Sequence, residues 1–144
     1  MAYGIAEAAR RDPSGIAVTD GVTEWTWTQL NTLLNRTVNW LCDRRSPTGG
    51  RLAVAAENSA HTALAHLAGT YAGLSVVPVN SQLTSAEMAY ILDDAAVDLV
   101  LCSAQTAATV RAATATARVV AWNAPTLGGV DDFAAVIAGY PDTE

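Results

Sequence analysis

The chain has 144 residues, a length that fits one domain spanning residues 1–144 and one ordinary core. Half of it is hydrophobic, 51%, which excludes an intrinsically disordered segment. The net charge of −6, with eight arginines, no lysine and no basic run, excludes nucleic acid as a partner.

The predicted elements run as follows. "YGIAEAARRDP" reads as a short helix that Pro13 ends. No apolar leader opens the chain, so the expected compartment is the cytoplasm. "IAVTDGVTEWTW" places two β-rich runs around Asp20-Gly21, a hairpin signal whose two turn residues both call for positive φ. In that hairpin Trp25 and Trp27 alternate onto one face. Thr28 is expected to cap a helix carrying Leu30, Leu33, Leu34, Val38 and Leu41 on one side. Arg44 and Arg45 suit its C-terminal dipole, and "SPTGG" stops it.

"RLAVAA" is a buried strand, and Ser59 caps the next helix, whose apolar face is Leu64, Leu67, Ala68 and Tyr71 and whose end is Gly73. "SVVPV" is a strand that Pro78 confines to an edge or to a short run, because proline donates no ladder hydrogen bond. Thr84 to Glu87 form a capping box ahead of Met88, Ile91, Leu92 and Ala95. Asp93-Asp94 cap or solvate that helix's end. "VDLVLC" is a strand, Ser103 opens an Ala/Thr-rich helix, "RVVAW" is a further strand, and the tail is a final helical turn or two. The most apolar window, Ala60 to Val79, is broken by His61, His66, Gly69, Gly73 and Pro78, so no membrane span is expected. Apolar strands alternating with helices predict an α/β fold: a three-layer, mainly parallel sheet with helices on both faces, plus an N-terminal β-hairpin.

The chemistry-bearing residues are few. Cys42 and Cys102 lie in no metal or redox spacing and read as two buried, reduced thiols. His61 falls in the first turn of a helix, at the carboxyl end of a strand, where open α/β sheets bind ligands and where a helix N-terminus favours the neutral imidazole. It is the one candidate catalytic side chain, and is also read as a partly exposed neighbour of the helix cap. Asn58, Asn80 and Ser103 also fall at strand carboxyl ends, and with His61 form a candidate ligand-binding set, although each is also read as a cap or turn residue. His66 is five residues beyond His61 and shares no face with it, so no metal site is expected.

"DPSGIAVTDGVTEWTWTQLNTLLNRTVNWL" resembles the opening of the adenylate-forming superfamily, the AMP-dependent synthetases and ligases that include acyl- and aryl-CoA ligases, nonribosomal-peptide adenylation domains and luciferases. Thr26-Trp27, Leu30-Asn31 and Asn35-Arg36 occupy the places of that family's "T-Y" and "L-N-x-x-x-N-R" text. "GGRLAVAAENSAHTALAHLAGTYAGLSVVPVNSQLTSAEMAYILDDAAVDLVL" is similar to the next block, and the resemblance runs from about residue 10 to 138. Three positions depart from the pattern. Glu57 stands where a proline is usual, Ser81 where a second proline is common, and Arg51 lacks the usual preceding Asp.

The resemblance implies ATP, Mg and often CoA as cofactors of the whole enzyme. The family's phosphate loop with its lysine, the ribose-binding acid and the catalytic lysine follow the region matched here. Adenylation depends on positioning and on neutralising phosphate charge. Neither "PTGG" nor "TLGGVDD" is a phosphate cradle, and a chain without lysine fills neither lysine role. No cofactor is therefore expected for this chain alone. It is read as a truncated ligase-like N-terminal subdomain not competent for adenylation. Two alternatives stay open: a ligase scaffold recruited to an ATP-independent small-molecule reaction in a biosynthetic pathway, or a non-catalytic partner that completes or regulates a ligase or carrier-protein assembly. The expected partner is a second copy, giving a dimer, or a complementary ligase chain.

Overall fold

A computed structural model describes residues 3–44, 50–124 and 126–143. The chain opens with α1 (Tyr3–Arg11), then the antiparallel hairpin β1 (Ile16–Thr19) and β2 (Glu24–Thr26), then the long helix α2 (Trp27–Asp43). Next come β3 (Arg51–Ala55), α3 (Ala60–Tyr71), β4 (Ser75–Val79), α4 (Ser85–Asp94), β5 (Leu99–Ser103), α5 (Ala107–Ala113), β6 (Arg118–Trp122), β7 (Val130–Asp132) and α6 (Phe133–Ile137). Strands β3 to β7 form one parallel sheet in the order β4-β3-β5-β6-β7. The chain leaves β3 for β4 on one side, then crosses to β5 on the other. The sheet therefore reverses its winding between β3 and β5, and a crevice opens at their carboxyl ends.

Strands β3, β5 and β6 bury side chains on both faces, so their sequences are almost continuously apolar. Leu52, Val54, Leu101, Val120 and Trp122 share one core with Leu30, Leu34, Trp40 and Leu41 of α2, Leu64 and Ala68 of α3, and Phe133 and Ile137 of α6. The alternate residues Ala53, Ala55, Val100, Cys102, Val119 and Ala121 share the opposite core with Met88 and Leu92 of α4 and Val110 of α5. This is the expected three-layer sheet with its separate hairpin. Pro78 lies in β4, at the sheet's edge. At Gly69 a Cβ would sit 2.6 Å from Val76 Cγ2 and 2.8 Å from Leu52 Cδ2, so the bare glycine lets α3 lie close on the sheet.

Several boundaries differ from the sequence reading, each for a local reason. Thr26, not Thr28, caps α2, because Thr26 and Gln29 complete a capping box, the Gln29 side chain accepting from the Thr26 N–H at 2.9 Å. The helix thus starts two residues early, and Trp27 belongs to its first turn rather than to the hairpin beside Trp25. In the hairpin turn only Gly21 has positive φ, at 86°. Asp20 Oδ1 instead accepts from the N–H groups of Val22 (2.9 Å) and Thr23 (2.6 Å), an Asx-turn that makes the loop four residues long. Ser103 ends β5, and Thr106 is the N-cap of α5. The Thr106 hydroxyl makes no capping bond: it is turned to the sheet end, where its oxygen accepts from Ser103 N–H at 3.2 Å and its proton goes to Ala55 O at 2.6 Å. Cys42 is exposed rather than buried, since it sits at the solvent side of the last turn of α2. Arg45 and the stop expected over residues 46–49 lie outside the described residues. Among the described residues no helix is long and apolar enough to cross a membrane.

Candidate functional site

Loops at the carboxyl ends of β3, β5 and β6 and the hairpin turn enclose a cleft of about 330 Å³. Asp20, Glu57, Asn58, His61, Ser103 and Trp122 are among its lining. A neighbouring cleft of about 410 Å³ lies over β3 and β4, lined by Glu57, Asn58, His66 and Asn80 among others. The β3–α3 loop, residues 56–59, is the ridge between the two. Of the four residues of the sequence-derived set, Asn58, His61 and Ser103 thus meet in the first cleft, while Asn80 faces the second with Asn58. Asn80 is also a turn residue whose Oδ1 accepts from Gln82 N–H at 2.9 Å.

The hairpin reaches the site through one carboxylate. Asp20 Oδ2 accepts the N–H of Ala60, the first residue of α3, at 2.8 Å, while Oδ1 holds its own turn. Three backbone donors lower its pKa from the ordinary carboxylate range to about 2. The Asp20 charge therefore lies against the positive end of α3, beside the Ser59 cap, whose hydroxyl accepts from Thr62 N–H at 3.2 Å.

His61 follows within the same turn, walled by rings. It stacks on Trp122, with centroids 5.7 Å apart and 12° between planes, and meets Trp25 edge-on at 4.8 Å and Phe133 edge-on at 6.4 Å. Burial lowers its pKa below the usual imidazole value, and the Asp20 charge works in the opposite sense. The imidazole is thus held neutral by its aromatic surroundings, where the sequence pointed to the helix end.

At the opposite wall, the Ser103 hydroxyl donates to Glu57 Oε2 at 2.6 Å, and the Ser103 N–H donates to Thr106 Oγ1 at 3.2 Å. Ser103 is 2% exposed, so its hydroxyl ties β5 to the β3–α3 loop and is spent on that bond. The Cys102 thiol beside it is pushed up to about 12 by burial, with the nearby Glu57 charge adding to the shift, and is no nucleophile. Asp20, Glu57, Trp122 and Asn123 were not in the sequence-derived set. Glu57 was signalled only as a departure from a proline, and its carboxylate is what Ser103 binds.

This cleft does not suit nucleotide phosphates. Its lining holds two carboxylates and no arginine or lysine. The nearest strand arginines, Arg51 and Arg118, begin β3 and β6 and so lie at the other end of the sheet. The ATP and Mg that the resemblance implies find no arginine or lysine in this cleft's lining, and among the described residues no group of three His, Cys, Asp or Glu side chains forms a metal cluster.

The fold and the sequence both have relatives. Over 99% of its length the chain superposes on the N-terminal domain of FACL13 from Mycobacterium tuberculosis, covering 36% of that chain, with a TM-score of 0.76 and 22% identity. It also superposes on a luciferase-like enzyme from the nonluminescent mealworm Zophobas morio, over 92% of this chain and 32% of that one, with a TM-score of 0.75 and 14% identity. At these identities the likeness is one of fold. In sequence it is 31% identical over 96 residues to a probable nonribosomal peptide synthetase, CymA, of Salinispora arenicola (strain CNS-205). That match takes in 67% of this chain and 1% of the relative. Residues 5–133 match the family described as AMP-binding enzyme, and the chain belongs to that family.

Proposed function

We propose that this polypeptide supplies the N-terminal α/β part of an acyl- or aryl-acid ligase or adenylation unit, and that it does not activate an acid by itself. The observation that carries this reading is the cation-free, doubly acidic cleft at the winding reversal of the sheet. Adenylation gathers triphosphate charge against backbone amides, lysine and metal, and this site opposes that charge. The absence of lysine from all 144 residues supports it. The proposed partner is a complementary ligase segment that brings the phosphate loop and the catalytic lysine, and the match to a peptide synthetase supports a biosynthetic setting.

ATP–pyrophosphate exchange over a panel of aryl, acyl and amino acids tests the proposal. The chain alone is expected to give no exchange and no heat on titration with Mg-ATP. Exchange is expected when a complementary ligase segment is supplied in trans. Exchange by the chain alone, or a micromolar Mg-ATP site, overturns it.

A second reading is favoured by the His61 environment, a neutral imidazole between a carboxylate and an aromatic wall. On that reading the cleft performs an ATP-independent reaction on a small molecule, which His61→Ala abolishes without loss of fold.

A further inference from the structure

Helix α2 has two working faces. One carries Leu30, Leu34 and Leu41 into the core. The other binds the polypeptide's last described residues. Asn35 Nδ2 donates to the carbonyl of Asp142 at 2.9 Å. One turn on, Asn39 Nδ2 donates to the carbonyls of Pro141 (2.9 Å) and Thr143 (3.0 Å). Arg36 lies 3.6 Å from the Asp142 carboxylate, and the Tyr140 hydroxyl donates to Asp43 at 2.9 Å. Residues 35, 36, 39 and 43 fall within a 100° arc of a helix with 100° per residue, so they form one stripe. The segment runs antiparallel to α2, from its C-terminal end toward its middle.

The bound segment follows directly on α6. Phe133 and Ile137 of that helix are buried in the core. Phe133 meets three rings edge-on: Trp40 of α2 at 6.5 Å, Trp122 at 6.3 Å and His61 at 6.4 Å. The same Phe133 ring therefore meets both members of the His61–Trp122 stack that lines the cleft. Helix α6 has only five residues, too few to hold itself in place by its own hydrogen bonds.

We propose that Tyr140–Thr143 form a strap: docked on the asparagine stripe of α2 it seats α6 against the His61–Trp122 stack, and released it loosens that wall of the cleft. Position 143 and the cleft are then two ends of one device. Displacement of the strap loosens His61, and a ligand that fixes His61 tightens the strap by the same free energy.

The stripe reads main-chain carbonyls, so the double variant Asn35→Ala/Asn39→Ala removes three of the strap's bonds and leaves the core side chains in place. Hydrogen exchange of the α6 amides is expected to quicken by about tenfold or more, the scale of a few net hydrogen bonds. At the same time the His61 titration, followed by NMR, is expected to move up toward the ordinary imidazole value as Phe133 withdraws. Asp20 and Glu57 are the charged groups on that side, and neither is altered. Tyr140→Phe, which removes only the tether to Asp43, is expected to shift both readouts the same way and less, and it stands in if the double variant does not fold. Leu92→Ala, in the opposite core, is the control for general loss of stability and is expected to leave the His61 titration in place. Faster exchange in α6 with an unmoved His61 titration overturns the proposal, as does an equal shift in Leu92→Ala.

Discussion

Replacing Leu34 by alanine removes three buried carbon atoms from the α2 layer. Leu34 is 1% exposed and shares its core with Leu30, Leu41, Leu52 and Leu64. At about 0.8 kcal/mol per buried methylene, the lost transfer energy alone is about 2.4 kcal/mol. The walls are a helix, a sheet and α3 drawn close at Gly69, so the site cannot collapse far, and a cavity term is added. The expected loss is about 3–4 kcal/mol, a large share of the stability of an ordinary domain, roughly 5–15 kcal/mol. Urea unfolding followed by circular dichroism reads it as a lower midpoint at unchanged slope. Leu92→Ala, 3% exposed on the α4 side, is expected to cost a similar amount, about 2–5 kcal/mol, through an independent core. A loss below about 1 kcal/mol at Leu34 would refute the packing argument, because the transfer term by itself exceeds that.

Acid titration is expected to show the Asp20 contacts. Its pKa is lowered in the folded chain to about 2 from 3.8, so the carboxylate's contribution is complete above pH 3.8 and is lost as pH falls through about 2. Asp20→Asn is expected to flatten the stability–pH curve in that window; an unchanged curve would show that the three backbone donors do not hold the charge. His61 acts one window higher. Its folded pKa is below 6.5, so the unfolded chain takes the proton first and stability falls as pH drops below 6.5, an effect that His61→Gln is expected to remove. Among the described residues β4 is an edge strand of the sheet, which supports pairing of two copies, and light scattering at ~10–100 μM is expected to show a dimer. A mass that stays at 15.0 kDa throughout that range refutes it.

The layers were legible because most of the strands and helices announce themselves locally. "RLAVA", "LVLCS" and "RVVAW" are continuous apolar runs, and two-sided burial leaves a parallel strand no other composition. Strand β7 was not legible: its residues are Val130, Asp131 and Asp132, and a three-residue edge strand needs neither β-branching nor alternation. Its place is fixed from outside, by pairing with β6 and by the Arg118–Asp131 ion pair at 2.6 Å. The cleft was half legible for a related reason. Its position follows from the alternation of strands and helices, and so do Asn58, His61 and Ser103 at strand ends. Asp20 could not be found that way, since a turn explains it fully and its second oxygen serves a helix 40 residues on.

The asparagine stripe carries the point further. On an amphipathic helix the face opposite the leucines is ordinarily given to water. Asn35 and Asn39 occupy that face, and nothing in a helical pattern distinguishes them from solvated residues. Their chemistry does distinguish them. An amide donates to a main-chain carbonyl at a far smaller desolvation cost than a lysine or arginine would carry. It also binds without reading the partner's side chain. Neutral amides at a spacing of four on a polar helix face are thus suited to hold a strand of backbone, and in this chain the carbonyls of Pro141, Asp142 and Thr143 meet them. A charged pair at the same two positions would satisfy the periodicity equally well and could not serve the strap equally well. The information lay in which polar residue was used, and it became readable only once the carbonyls it serves were in place.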